Sequence, residues 1–267
     1  MSYANREVYP DAPLALVAAE LRFSYAPRLN REEERDRIII GLDDRFPVVR
    51  PSQNVTVTFG PGGPQGQAEQ RTMLTNRATT EAVTFGPNSL AFEATDYRGF
   101  PPFLETFRHV CQAVIDAGVT PVVERVGLRY IDEIRVPELI NGPADWSGWV
   151  NESLIDQVAL GADFAAQHSE GLVQYSLGGA RGLLFRFAAV SGPPIVQGVL
   201  QRPKDYGEGP FFALDADAFE LFDPGVFTLD TDRVAQTLEV LHDPAGQLFQ
   251  HAITDKTRNL FRMGSEE

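Results

Sequence analysis

The 267-residue sequence has few of the residues that build covalent or metal-bound frameworks, since it contains one cysteine, Cys111, and four histidines. A single cysteine cannot form a disulfide within the chain or a cysteine-based zinc site. The two histidines nearest in sequence, His242 and His251, are nine positions apart, so no pair has the i, i+4 spacing of a helical zinc site. We therefore expect no metal ion and no cofactor.

Positive charge is also scarce, because 23 Lys and Arg residues stand against 37 Asp and Glu residues, giving a net charge of −14 at pH 7. An acidic surface repels phosphate backbones and anionic lipid, which disfavours binding to nucleic acid or to a membrane. No apolar run approaches about 18 residues, and the start of the chain, MSYANREVYPDAP, lacks the pattern of a signal peptide. The expected location is the cytoplasm.

Recognised catalytic motifs are missing as well. The sequence has no G-x-S-x-G elbow, no Walker loop and no G-x-G-x-x-G after a strand, and its GGARG segment is a glycine-rich turn leading into a strand. Cys111 falls inside an apolar helical pattern, which is typical of a small buried side chain rather than a reactive thiol. The sequence favours a protein that is not an enzyme and leaves the alternative open.

A long strand pattern covers residues 122–136, and the rest of the chain is organised around it. Read with a period of two, one face is mostly apolar and the other mostly charged. The apolar face holds Glu124, Val126, Leu128, Tyr130, Asp132, Ile134 and Val136. This alternation predicts the central strand of an antiparallel sheet, with a core side and a wetter side.

Similar patterns predict two runs of strands, each followed by a long helix. They include a buried strand at Leu14–Phe23, a helix at 101–117, a strand at 195–201 and a C-terminal helix that breaks at Pro244. The expected fold class is α+β, with two antiparallel β-meanders each covered by a long amphipathic helix. An internal duplication is one interpretation of the repeated order, and no residue identities support it.

A connector at residues 138–161 is the best candidate boundary, because it contains Pro, Gly and both Trp residues. It divides the chain into an N-terminal half at 1–137 and a C-terminal half at 162–267. The sequence leaves open whether these halves pack as one domain.

Four segments in order resemble a sporadically distributed bacterial family that is catalogued as conserved and of unknown function. They are PLALVAAELRF, MLTNRATTEAVTF, VERVGLRYIDEI and FQHAITDKTRNLF, which together span most of the chain. The most specific is the R-[IV]-G-L-R-Y-[IV]-[ND] strand, here Arg125 to Asp132. The family pattern leads us to expect Asn at the last position, where this sequence has Asp132. The resemblance supports the fold class and implies no activity or ligand.

Arg125 and Arg129 are the sharpest candidates for a ligand site. They lie four positions apart on the charged face with Gly127 between them, so their guanidinium groups could flank a gap where an anion approaches the backbone. Arg77 and Arg186 fall on other predicted strands and could join this patch. The alternative is that carboxylates across the strands, or on the same face, pair with these arginines.

Asp132 is the one catalytic candidate. It falls on the apolar face beside Tyr130, where an unpaired carboxylate is costly to bury. One interpretation is a buried structural pair or a hydrogen bond to a turn, and the other is an acid or base with a raised pKa.

The leading hypothesis is a non-catalytic binding or protein-interaction module of a bacterial system, with a protein partner that the sequence does not identify and a homo-oligomer as one option. The alternative is a sensor or enzyme for an anionic small molecule, such as a nucleotide or phosphorylated metabolite, held by the arginines. The first requires an exposed apolar patch or sheet edge, and the second requires a concave basic pocket.

Overall fold

Strand β1 (Leu14–Phe23) alternates strictly between buried and partly exposed side chains. Its buried positions are Ala15, Val17, Ala19, Leu21 and Phe23. The predicted strand is confirmed with the same bounds, because alternation with a period of two is a local property of the sequence.

The computed structural model describes residues 7, 9–60, 63–161, 163–204 and 206–263, without the side chains of 51–70.

The described residues form one nine-stranded antiparallel sheet in the order β2-β3-β4-β5-β1-β6-β9-β8-β7. Besides β1, its strands are β2 (Val48–Gly60), β3 (Gly63–Thr75), β4 (Glu81–Gly86), β5 (Ser89–Ala94), β6 (Val123–Ile134), β7 (Ser169–Gly178), β8 (Arg181–Gly192) and β9 (Gly209–Leu221). The pattern predicted at 122–136 is β6, which pairs with β1 on one side and β9 on the other. The prediction of a central strand is confirmed.

The predicted fold class of two meanders, each covered by its own helix, is wrong. Pairing between β6 of the N-terminal half and β9 of the C-terminal half joins the strands of both halves into a single sheet. The helices share one layer, in which α3 (Thr231–Ala252) packs on β6 and β9 and α2 (Phe100–Asp116) packs beside α3 and α1 (Glu32–Leu42). Unpaired backbone groups along β6 and β9 would be costly to bury, so the two strands pair with each other. Strand patterns in the sequence do not reveal pairing between strands so far apart in the chain. The predicted division into halves, with boundaries at residues 137 and 161, stays a prediction.

Helix α2 confirms the predicted helix at 101–117 with a shift of one residue at each end. Its apolar stripe, which includes Phe103, Phe107 and Val110, is buried against the sheet and the other helices. Gly118 follows the helix with φ +81°, a left-handed conformation that glycine adopts without strain. Cys111 is fully buried on the same stripe, as its pattern predicts.

Two predicted elements differ from the structure. Helix α3 continues through Pro244, and the chain breaks only before α4 (Asp255–Met263). The strand predicted at 195–201 is a loop, whose start is held by a hydrogen bond from the Ile195 backbone N–H to Glu133. Alternating apolar residues do not form a strand where no neighbouring backbone is free to pair with them.

No helix in the described part of the chain is long and apolar enough to cross a membrane.

Candidate functional site

The predicted arginine patch lies on the face of the sheet away from the helices, and its charges are paired. Arg125 donates to Glu20 on β1 over 3.0 Å and to both carboxylate oxygens of Asp217 on β9 over 2.6 and 2.8 Å. Its guanidinium also lies 5.1 Å above the ring of Phe219. These contacts bury the Arg125 side chain to 13% exposure.

Gly127 is needed to accommodate Arg125 rather than a ligand. A Cβ atom at Gly127 would lie 2.3 Å from Nη1 of Arg125, because that side chain folds across the glycine to reach Glu20 and Asp217. The guanidinium of Arg125 therefore fills the gap that the sequence suggests for an anion.

Arg129 and Arg186 share Asp215. Arg129 forms a bidentate pair with this carboxylate at 2.7 and 2.8 Å, and Nη1 of Arg186 lies 3.2 Å from Oδ2. Nearby, burial raises the pKa of Glu93, and the charge of Arg129 opposes that rise. Arg77 is exposed in the turn after β3, outside this network. The structure thus brings Arg125, Arg129 and Arg186 onto one face, where carboxylates balance them.

Asp132 lies on the other face of β6 and lines a cavity of about 740 Å³. The cavity lies between the helix side of the sheet and the helices. Its walls come from residues 9–14, the 95–101 loop and start of α2, strands β6, β8 and β9, the 202–206 loop, and the middle of α3. Because these segments are far apart in sequence, the cavity exists only in the folded chain.

Aromatic side chains form much of the wall. The hydroxyl of Tyr130 and Nδ1 of His242 are joined by a 2.8 Å hydrogen bond, and the hydroxyls of Tyr97 and Tyr130 lie 3.4 Å apart. Phe100 stacks flat on the His242 imidazole, with ring centroids 4.1 Å apart and planes 4° from parallel. Side chains held by such contacts present rigid apolar surfaces, so little conformational entropy is lost when a ligand packs against them.

The carboxyl group of Asp132 has no hydrogen bond or ion pair with any residue that the structure describes. The residue is only 7% exposed. Burial raises the pKa of Asp132 to about 7, while the charge of Arg202 opposes the rise and that of Asp215 adds to it. The structural pair expected from the sequence is therefore absent among the described residues, and a carboxyl with a raised pKa is present.

Arg202 supplies a second buried polar group on the cavity wall, since its side chain is 7% exposed. Its Nη1 atom lies 3.2 Å from Oε2 of Glu133, yet the alignment is too poor for a hydrogen bond and Nη1 has no hydrogen-bond partner. The guanidinium also lies 4.3 Å from the ring centre of Tyr206. Glu133, fully buried, accepts hydrogen bonds from Arg135 and from the Ile195 backbone N–H, and the second of these fixes the start of the loop that contains Arg202.

Sequence reasoning selected Asp132 and missed the other cavity residues. Arg202 and Tyr206 lie in a loop without periodicity, and His242 lies in the middle of α3. The available signal was the run of basic and aromatic residues around Arg202, Lys204 and Tyr206 in a segment too polar for a core strand. Within the described residues, no group of three or more His, Cys, Asp or Glu side chains could hold a metal ion.

No protein-family model matches the chain, and a search of the curated proteins gives no match. Membership of the bacterial family that the sequence resembles therefore stays a prediction, and function is inferred from the site itself.

Proposed function

We propose that this protein is a non-catalytic, cytosolic binding module that takes a small organic molecule into the cavity beside Asp132. The observation behind the proposal is that two largely buried polar groups line one aromatic cavity: the Asp132 carboxyl, whose pKa is raised by burial, and Arg202 Nη1, which has no hydrogen-bond partner. Its volume of about 740 Å³ is in the usual range for small-molecule sites. Buried polar groups without partners are costly, and a ligand that satisfies them recovers that cost.

The lining favours binding over catalysis. The described residues of the wall include neither serine nor cysteine, and the hydroxyl of Thr95 donates to the backbone carbonyls of Gln201 and Thr80. Lys204 lies 3.2 Å from a carboxylate oxygen of Asp11, so its ammonium is held in an ion pair. Covalent catalysis by serine, cysteine, threonine or lysine needs that side chain within reach of a base, and the described wall supplies none of these in that arrangement. The hydroxyl of Tyr130 does lie 2.8 Å from Nδ1 of His242, where both rings form part of the aromatic wall.

Ligand-observed NMR with a library of neutral and charged aromatic fragments tests the proposal. Ala216 on β9 and Gly246 on α3 both line the cavity, so Ala216→Phe and Gly246→Leu should fill it and abolish the fragment signals while the variants still melt cooperatively. Arg129→Ala on the opposite face is the matched control and should bind the same fragments. Loss of binding in Arg129→Ala alone would instead support an anion site on the arginine patch. No binding to the wild type, or equal binding to all variants, would refute the cavity proposal.

A second candidate function is self-association through the edge strand β7. β7 pairs only with β8 in the described sheet, so its outer backbone edge faces away from the sheet. Leu172, Val173 and Tyr175 are 60%, 39% and 42% exposed on it. Glu170 is the one charged residue of β7. Two copies of this strand therefore repel each other less than two copies of a more acidic part of the surface would. A sheet edge with little charge and exposed apolar side chains can pair with the same edge of a second copy.

Sedimentation equilibrium tests this second candidate. Val173→Pro removes a backbone donor and fixes φ on β7, and should convert a wild-type dimer to a monomer. Leu172→Asp should do the same through charge repulsion, which guards against a folding defect in the proline variant. A wild-type protein that remains a monomer at high protein concentration would rule out the self-association.

A further inference from the structure

Asp132 and Arg202 present opposite hydrogen-bonding capacity to the same cavity. An ionised carboxylate only accepts hydrogen bonds, and a guanidinium only donates them. The two groups are close enough for the charge of Arg202 to lower the pKa of Asp132. A ligand that satisfies both therefore needs N–H donors next to an oxygen acceptor.

The charges around this pair favour an uncharged ligand. Arg202 lies 3.2 Å from Glu133, a carboxylate that it shares with Arg135, and it lines the same cavity as Asp132. A ligand cation beside Asp132 would therefore also lie near the Arg202 guanidinium, and a ligand anion beside Arg202 would lie near Asp132. A phosphate gains little from the start of α2, because Pro101 and Pro102 lack two of the backbone N–H groups that a helix N-terminus usually offers to an anion. The wall thus disfavours both organic cations and phosphorylated ligands.

The aromatic wall favours a flat ligand. Tyr97, Phe100, Tyr130 and Tyr206 all line the cavity, and three of them already make ring contacts with each other or with His242. Planar heterocycles stack on such rings while their edges form hydrogen bonds in the ring plane.

We propose that the cavity binds an uncharged planar heterocycle that presents neighbouring N–H donors to Asp132 and a ring carbonyl to Arg202, as guanine and pterin rings do. This inference rests on the proposed binding function. It specifies that function by a donor and acceptor pattern rather than by shape alone.

Isothermal titration calorimetry with guanosine, inosine, adenosine and pterin tests the pattern. Inosine lacks the exocyclic N–H donors of guanosine, and adenosine has an acceptor where guanosine has a ring N–H. Loss of a hydrogen bond to a charged group weakens binding by about tenfold or more, so wild-type protein should bind guanosine or pterin at least about tenfold more tightly than adenosine, with inosine between them.

Asp132→Asn reverses part of the pattern. The side-chain N–H of asparagine cannot form a hydrogen bond with the N–H of guanine, because both groups are donors. The same N–H can donate a hydrogen bond to the ring nitrogen of adenine. The preference for guanosine over adenosine should fall at least about tenfold in this variant. Asp44→Asn, in the exposed turn after α1, is the matched control and should keep the wild-type preference. The wild-type series decides the question by itself if Asp132→Asn fails to fold.

Equal affinity of the wild type for guanosine, inosine and adenosine would overturn the inference, as would an unchanged preference in folded Asp132→Asn. Binding of other aromatic fragments without guanosine or pterin would overturn the ligand class while supporting the proposed function. Failure of every probe would refute both.

Discussion

Asp132→Asn should stabilise the folded protein most strongly above pH 7 and much less at pH 5. Burial raises the pKa of the carboxyl from 3.8 to about 7 in the folded protein. A carboxyl that binds its proton more tightly in the folded state destabilises that state once it ionises. The free energy of unfolding therefore falls as pH rises from the unfolded pKa to the folded pKa, and the full loss is present above pH 7.

The size of the effect follows from the pKa difference. A shift from 3.8 to about 7 corresponds to roughly 4 kcal/mol of lost stability above pH 7, at about 1.4 kcal/mol per pKa unit. At pH 5 the same relation gives roughly 1 to 2 kcal/mol. Asparagine does not ionise, so the stability advantage of Asp132→Asn should grow by roughly 3 kcal/mol between pH 5 and pH 8. Burying the amide adds a cost that is the same at both pH values.

Urea unfolding at pH 5 and pH 8 measures this difference, with the fluorescence of the buried Trp146 and Trp149 as the signal. Asp44→Asn, on the exposed turn after α1, controls for the removal of one negative charge and should change stability little at either pH. An advantage of Asp132→Asn that is equal at both pH values, or larger at pH 5, would refute the assignment of Asp132 as a buried carboxyl without a partner.

Three further predictions concern the rest of the sheet and the helix layer. Gly127→Ala should cost about 1 to 3 kcal/mol, because its Cβ displaces Arg125, and this cost should shrink in an Arg125→Met background when both are measured by denaturant unfolding. Arg129→Ala should cost about 1 kcal/mol or less, since its pair with Asp215 is 44% exposed on the arginine side, and thermal melting at low and high salt should show that cost shrinking with salt. Cys111 should react with a thiol reagent only as fast as the protein unfolds, because it is fully buried and burial raises the pKa of its thiol; rapid labelling of folded protein would contradict its place in the core.

Local periodicity was enough to predict the elements that do not depend on distant partners. β1 has its predicted bounds, α2 differs by one residue at each end, and β6 occupies the predicted centre. Buried and exposed positions alternate along a strand, or recur every three to four residues along a helix, whatever the element packs against. The sequence also showed that Asp132 shares the apolar face of its strand.

The sequence could not show which strands become neighbours in the sheet. An apolar face indicates that a strand is buried, but it does not indicate which other strand pairs with it. The pairing of β6 with β9, which joins the two predicted halves into one sheet, depends on residues 78 to 96 positions apart in the sequence. For the same reason, the sequence could not show that Gly127 makes room for Arg125. This role depends on how the Arg125 side chain folds across the glycine to reach carboxylates on two other strands.

The cavity was decided entirely by tertiary structure. Tyr130 and His242, whose hydrogen bond helps to form its wall, are 112 positions apart, and Arg202 reaches it from a loop without periodicity. The sequence alone placed the carboxylate of Asp132 on the apolar face of its strand. Only the folded chain decided that this carboxylate would have no partner among the described residues and would line the same aromatic cavity as the Arg202 guanidinium. These surroundings come from segments of the chain that meet only when the sheet and the helices pack together.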